Sequence, residues 1–395
     1  MDGQEVFLAL LRCAAQGETR NGTLSREEAR QVTRLAREHS VLPLIVEAAG
    51  EGLRASRPKA RALTIAQAQR TADFLLLYDF LSERGLRPAV MKGITLRALY
   101  PQPEQRASTD EDLLVRPEDG PAYHQAMLDY GLALVNPDEN LETSDEVSYE
   151  DKARGLYIEV HKSGFSASSA YGELNALFEG CLDRCTEIEV YGQKITTLSP
   201  TDHLLYLLCH AYKHFLHGGV GIRQVCDIGI FSEHYADEID WNRVRTSCDS
   251  VRIAAYSAAL FRIAERHLGF PMPATFADLD VDEADMLEDI LSGGLYGVND
   301  INRAHSSTIT LDAVASQKQG RQRRGVLASV FLPLGSMRGR YPYLRRFPWL
   351  LPVAWTQRVL RYLTHRDGLA PGKPGETVRI GKERVELLRE YGILD

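Results

Sequence analysis

Long apolar runs are missing from this chain. No stretch approaches the roughly 20 consecutive apolar residues that a membrane-spanning helix needs. The apolar run near the start, "VFLALL", follows Asp2 and Glu5 and precedes Arg12. Lacking a basic flank, it reads as the first helix of a folded domain and not as a secretory leader, and the expected location is cytoplasmic. Cysteine is sparse and unpatterned: Cys13, Cys181, Cys185, Cys209, Cys226 and Cys248 share no framework spacing. The close pair Cys181 and Cys185 has no second pair to complete a zinc site, so free thiols in a reducing compartment are expected. Positive charge is in deficit, with 46 Lys and Arg against 54 Asp and Glu, for a net charge of −8. That balance argues against a global affinity for nucleic acid. No internal repeat is visible, which excludes a solenoid. What remains is an ordinary globular composition, 44% hydrophobic and 25% charged over 395 residues, enough for two or three domains with real cores.

Residues 1–85 carry helical signals. Ser25 and Glu28 form a capping-box pattern before "EEARQVTRLAREHSVLPLIVEA", and "ARALTIAQAQRTADFLLLYDFLSERG" predicts a long helix closing at Gly85. The pattern then changes over 86–198. "RPAVMKG" and "DLLV" are short apolar runs, while "LYIEVHKSGF" and "TEIEVYGQKITTL" alternate as half-buried strands do. Between them "PEDGPAYHQAMLDYG" predicts a helix with Pro117 near its start and Gly131 at its end. From "SPTD", an N-cap followed by a helix-starting proline, residues 199–316 turn helical again. An Arg- and aromatic-rich stretch fills 317–370, and 371–395 reads as a linker and a last short helix.

The stretch "STDEDLLV" sets three acids against a buried-strand signature. Residues two apart in a strand share a face, so Asp110 and Asp112 point the same way, about 6–7 Å apart at Cα. Both carboxylates can converge on one or two hard cations about 3.5–4 Å apart. Two ionised acids this close repel unless a cation neutralises them. Upstream, "AVMKGITLRALY" is a strand, a Lys-Gly turn and a helical pattern. Gly93 permits a tight turn with free amides, and the helix start that follows favours phosphate. Glu159 in "YIEVH" adds a third acid on a strand. A phosphate-cradling turn beside three acids suits metal-assisted phosphoryl or nucleotidyl transfer.

The run from "VMKGITLRALYP" through "RASTDEDLLVRPEDGPAYHQAMLDYGL", followed by "IEVH", "HAYKH" and "IRQVCD", resembles the uncharacterised nucleotidyltransferase family of the polymerase-β-like superfamily. The resemblance covers roughly residues 30 to 365 and is sharpest between 91 and 131. It implies an α+β fold: a small mixed-sheet nucleotidyltransferase core flanked by N-terminal helices and a larger C-terminal helical region. It implies that Asp110 and Asp112 bind catalytic Mg²⁺ ions bridged to the phosphates of an NTP. Gly93 and the backbone of Ile94 and Thr95 would line the phosphate pocket, with Ser108 beside it, and Glu159 would be the third carboxylate. Two departures stand out. The superfamily prefers Gly-Ser or Gly-Gly where this chain has Gly93-Ile94, and often Asp where it has Glu159. Lys92 and Arg106 are the candidates to neutralise triphosphate charge.

His210, His214 and His217 fall on one helical face, with His203 two turns back. A zinc ion shared by histidines at i and i+4, a nucleotide or substrate contact, and a structural polar face all fit. "HAYKH" lacks the Glu of a zinc hydrolase helix. His161 shares the face of Glu159 and is a further substrate contact candidate. Arg223 and Asp227, at i and i+4, predict a helix salt bridge. Residues 317–366 hold one Lys, ten Arg and no acid, with aromatics interleaved. They fit packing over the acidic body, docking on a membrane surface or protein, or, less well given "FPWLLPVAW", gripping nucleic acid. The acceptor is open, a peptide or saccharide included. Two alternatives compete with nucleoside monophosphate transfer: a non-catalytic nucleotide- or peptide-binding module, and transfer of a sugar phosphate in peptide or polysaccharide tailoring.

Overall fold

The computed structural model describes residues 2–20, 22–137, 139, 141, 144–297, 301–318, 334–337, 341–364 and 374–395. Seven strands form one mixed sheet in the order β3-β4-β5-β2-β1-β7-β6. They are β1 (Ala89–Val90), β2 (Glu111–Leu114), β3 (Ala133–Leu134), β4 (Glu146–Asp151), β5 (Leu156–His161), β6 (Thr186–Val190) and β7 (Gln193–Thr197). Two of them, β3 and β4, have no counterpart among the strands expected from the sequence. β2 sits at the centre, parallel to β5 and antiparallel to β1, and the one-turn α5 (Ile94–Arg97) follows β1.

Pleating gives the sheet two unlike faces. Leu113, Val115, Ile158 and Val160 turn to one side, where α4 (Arg57–Glu83) and α6 (Gly120–Tyr130) cover them with Phe74, Leu77, Tyr78 and Met127. Asp112, Leu114, Glu159 and His161 take the opposite side by the same alternation. There Leu114 and Met91 enter a second core with Leu204 and Leu208 of α7 (Pro200–His217). The acids therefore face the helical region.

The helices start where their capping residues stand. Ser25 and Glu28 bond reciprocally at 3.2 and 2.9 Å, opening α2 (Arg26–Glu38) after α1 (Gly3–Ala15). The run expected as one helix breaks at Ser40, where φ is 56°, and resumes as α3 (Leu42–Ala48). Ser199 caps α7 by accepting the Asp202 amide at 3.2 Å. α8 (Ile222–His234), α9 (Trp241–Ser250), α10 (Ala254–Ile263), α11 (Ala284–Gly293) and α12 (Ile301–Lys318) follow. A left-handed Arg252, with φ 61°, separates α9 from α10 within "WNRVRTSCDSVRIAAYSAALFRIAERH", a stretch whose sequence pattern reads as one helix. Residues of α1–α3 share one apolar core with α7–α11, so the two ends of the fold meet.

Part of the Arg- and aromatic-rich stretch, residues 319–333, 338–340 and 365–370, lies outside the described residues, as does the linker 371–373. The described part includes α13 (Leu351–Thr364) and gathers Met337, Tyr341, Leu344 and Ala354 into a small core of its own. The last helix, α14 (Pro374–Glu390), is 17 residues and not short. It docks on the body through buried Arg384, which donates to the Phe215 carbonyl.

Two buried histidines tie stability to pH. Burial pushes His39 and His203 down to about 4, so both rings are neutral in the fold. The unfolded chain titrates them near pH 6.5 (about the model-peptide value). The stability they confer is present in full above that value and is lost as the pH falls through about 4. The urea midpoint is expected to drop across this window, and His39→Leu to flatten the drop. A wild-type midpoint constant between pH 7 and 4.5 would contradict both.

Candidate active site

Glu111 and Asp112 are neighbours on β2 with opposite tasks. Asp112 faces α7 and lies beside Glu159 in the register of the parallel strands. Asp110, just before the strand, joins it: Lys92 Nζ lies 2.9 Å from Asp110 Oδ2 and 3.0 Å from Asp112 Oδ2. The contact to Asp112 Oδ2 is an ion pair without hydrogen-bond alignment, which leaves that buried oxygen unbonded. His161 Nε2 is 3.1 Å from Asp112 Oδ1 and 3.6 Å from Glu159 Oε2, and Nδ1 is 3.4 Å from Glu146 Oε2. Four carboxylates, Asp110, Asp112, Glu159 and Glu146, thus surround two cationic groups, Lys92 and His161, at the sheet's centre.

The charges follow from these contacts. Burial opposes ionisation of Asp110 and Asp112, but the charge and hydrogen bond of Lys92 lower Asp110, and Lys92 together with His161 lowers Asp112. Glu159 is raised, by burial first and by the charge of Asp112. Burial works against the His161 imidazolium, yet its bonds to Asp112 and Glu159 hold it up at about 9. Tyr206, His210 and His214 of α7 lie within electrostatic reach of Lys92 and these acids. His210 and His214 stand Nε2 to Nε2 at 3.1 Å, and burial, then the Lys92 charge, keeps both far below the usual imidazole range.

The other expected site residues have different partners. Gly93 has φ 71°, and a Cβ there would fall 1.9 Å from Glu111 Oε2. Its Ile94 amide, expected to be free for phosphate, donates to Glu111 Oε2 at 2.7 Å, while Arg97 pairs with Oε1 at 2.5 Å. The turn is closed by a carboxylate of its own chain. Thr95 is buried and donates to the Lys92 carbonyl at 3.4 Å. Ser108 accepts from Arg97 and gives its amide to Gln67 Oε1 at 2.9 Å. Arg106 is buried against Asp227, with contacts of 3.0 and 2.6 Å, so it ties α8 to the loop before β2 instead of reaching for phosphate. That pairing also replaces the expected Arg223–Asp227 bridge: Tyr100 takes Asp227 too, at 2.8 Å, and Arg223 donates to the Ala107 carbonyl. His217 bonds Tyr171 at 3.0 Å and His203 bonds Thr197 at 3.2 Å.

Metal-ligating atoms of Asp112, Glu159 and His161 lie within 4.8 Å of one another. With Asp110 the donor set is mostly carboxylate oxygen, which suits a hard divalent cation. The Lys92 ammonium lies between Asp110 and Asp112. Glu146 went unread because it lies on β4, although "EVSYED" alternates apolar and polar residues.

Residues 25–269 match the family described as uncharacterised nucleotidyltransferase. The chain belongs to this family. The match ends short of the residue 365 suggested by the motifs, so the Arg-rich stretch falls outside it. No curated protein and no solved structure matches the chain. Family membership supports nucleotidyl transfer in general, and the Asp112, Glu159 and His161 ligand atoms are spaced as a metal site requires. No helix among the described residues is long and apolar enough to cross a membrane.

Proposed function

We propose that this nucleotidyltransferase moves a nucleoside monophosphate from an NTP to a hydroxyl or phosphate acceptor, with Mg²⁺ held by Asp110 and Asp112 and with Glu159 as the third carboxylate beside them. One observation carries the reading: two aspartates converge on a single cationic group, at 2.9 and 3.0 Å, with a third acid in register beside them. Mg²⁺ bound there would supply Lewis-acid stabilisation of charge on the α-phosphate and the departing pyrophosphate.

The chain's own groups do the rest. With a hydroxyl acceptor, its oxygen bonds to the α-phosphorus while the bond from that phosphorus to the bridging oxygen breaks, and pyrophosphate leaves. Glu159 takes the hydroxyl proton; its raised pKa and partial exposure suit a general base. His161 orients Asp112 and Glu159 through one ring nitrogen. Lys92 adds positive charge beside the phosphates.

Protein stripped with EDTA and supplied with the four NTPs and a pool of hydroxyl acceptors should release no pyrophosphate until Mg²⁺ is restored. Release that persists in EDTA would refute the metal-dependent reading.

A further inference from the structure

Arg223 is a buried guanidinium with no carboxylate. It is 5% exposed, its Nη1 donates to the Ala107 carbonyl, and its Nε has no hydrogen-bond partner. Among the described residues no acid pairs with it. Asp227, one turn along α8, would be the natural counter-ion, but Arg106 and Tyr100 occupy it. Burying an ionised group without a directly paired carboxylate is costly, and an anionic ligand would offset that cost.

Its place indicates which ligand. Ala107 precedes Asp110 by three residues, so the Arg223 guanidinium is held on the loop that leads into the acid cluster. Arg223 is also the second residue of α8, where first-turn amides and the helix dipole favour an anion.

We propose that Arg223 binds the phosphate chain of the substrate, donating to non-bridging oxygens of an oligophosphate next to the acid cluster. The proposal rests on the nucleotidyl-transfer reading and adds a ligand contact outside the Lys-Gly turn, whose Ile94 amide Glu111 occupies. The competing role is a structural one, pinning Ala107.

Inorganic tripolyphosphate with Mg²⁺ is the probe, because it carries no base. Calorimetric titration of the full chain should show Arg223→Met binding it about 10- to 100-fold more weakly than wild type. Arg223→Lys should keep most of the affinity, and neither variant should melt below wild type without ligand. Wild-type affinity in Arg223→Met would overturn the inference. Equal loss of affinity and of melting temperature in both variants would overturn it too, in favour of the pin. If the wild type itself fails to bind tripolyphosphate, the nucleotidyl-transfer reading falls and this one with it.

Discussion

Asp112→Asn is expected to lower Mg²⁺-dependent pyrophosphate release by about 100-fold or more while leaving the fold intact. The substitution keeps the shape of a side chain that is 1% exposed and removes its charge. Lys92 retains Asp110 at 2.9 Å, so the ammonium is not stranded. His161 loses the first of the acids that hold it up at about 9, and its pKa falls. Circular dichroism melting would show the fold preserved, and a pyrophosphate assay would show the loss. Undiminished release from a folded variant would remove Asp112 from the reaction.

The second large effect concerns stability. Arg97→Met is expected to cost about 3–5 kcal/mol, because it leaves Glu111 buried without its guanidinium. The pair is nearly sealed, with side chains 1% and 8% exposed. Burial raises the Glu111 carboxyl even with Arg97 beside it, and Arg97 is the main group that opposes that shift. Glu111 also holds the Ile94 amide, which shapes the turn carrying Lys92. Gly93→Ala tests the same clasp from the other side, since a methyl would meet Glu111 in a left-handed backbone conformation. Urea unfolding should show both variants destabilised; midpoints within about 0.5 kcal/mol of wild type would mean that the clasp does little.

Much of the site follows from local rules. The two-residue period of a strand puts Asp110 and Asp112 on one side, and the same period puts Glu159 with His161. A Lys-Gly turn before a helical pattern brings Lys92 near. Illegible were the pairings fixed by tertiary packing. Arg106 meets Asp227 from 121 residues away, a contact no spacing encodes. The i, i+4 rule therefore assigned Asp227 to the wrong arginine. Strand alternation sends Glu111 to the far face but does not say that Arg97 and the Ile94 amide await it there. The helix breaks at Ser40 and Arg252 escaped for a related reason: each needs positive φ at a residue type that seldom adopts it, and tertiary packing overrides that preference. The two-residue β3 is too short to carry a period.

Mn²⁺ titration followed by electron paramagnetic resonance, on wild type and Asp112→Asn side by side, addresses the joint clasping of a divalent ion most directly. The wild type should take up Mn²⁺, and the variant should bind it at least about 10-fold more weakly. Equal uptake by the two proteins would mean that the ion, if this fold uses one, is held elsewhere.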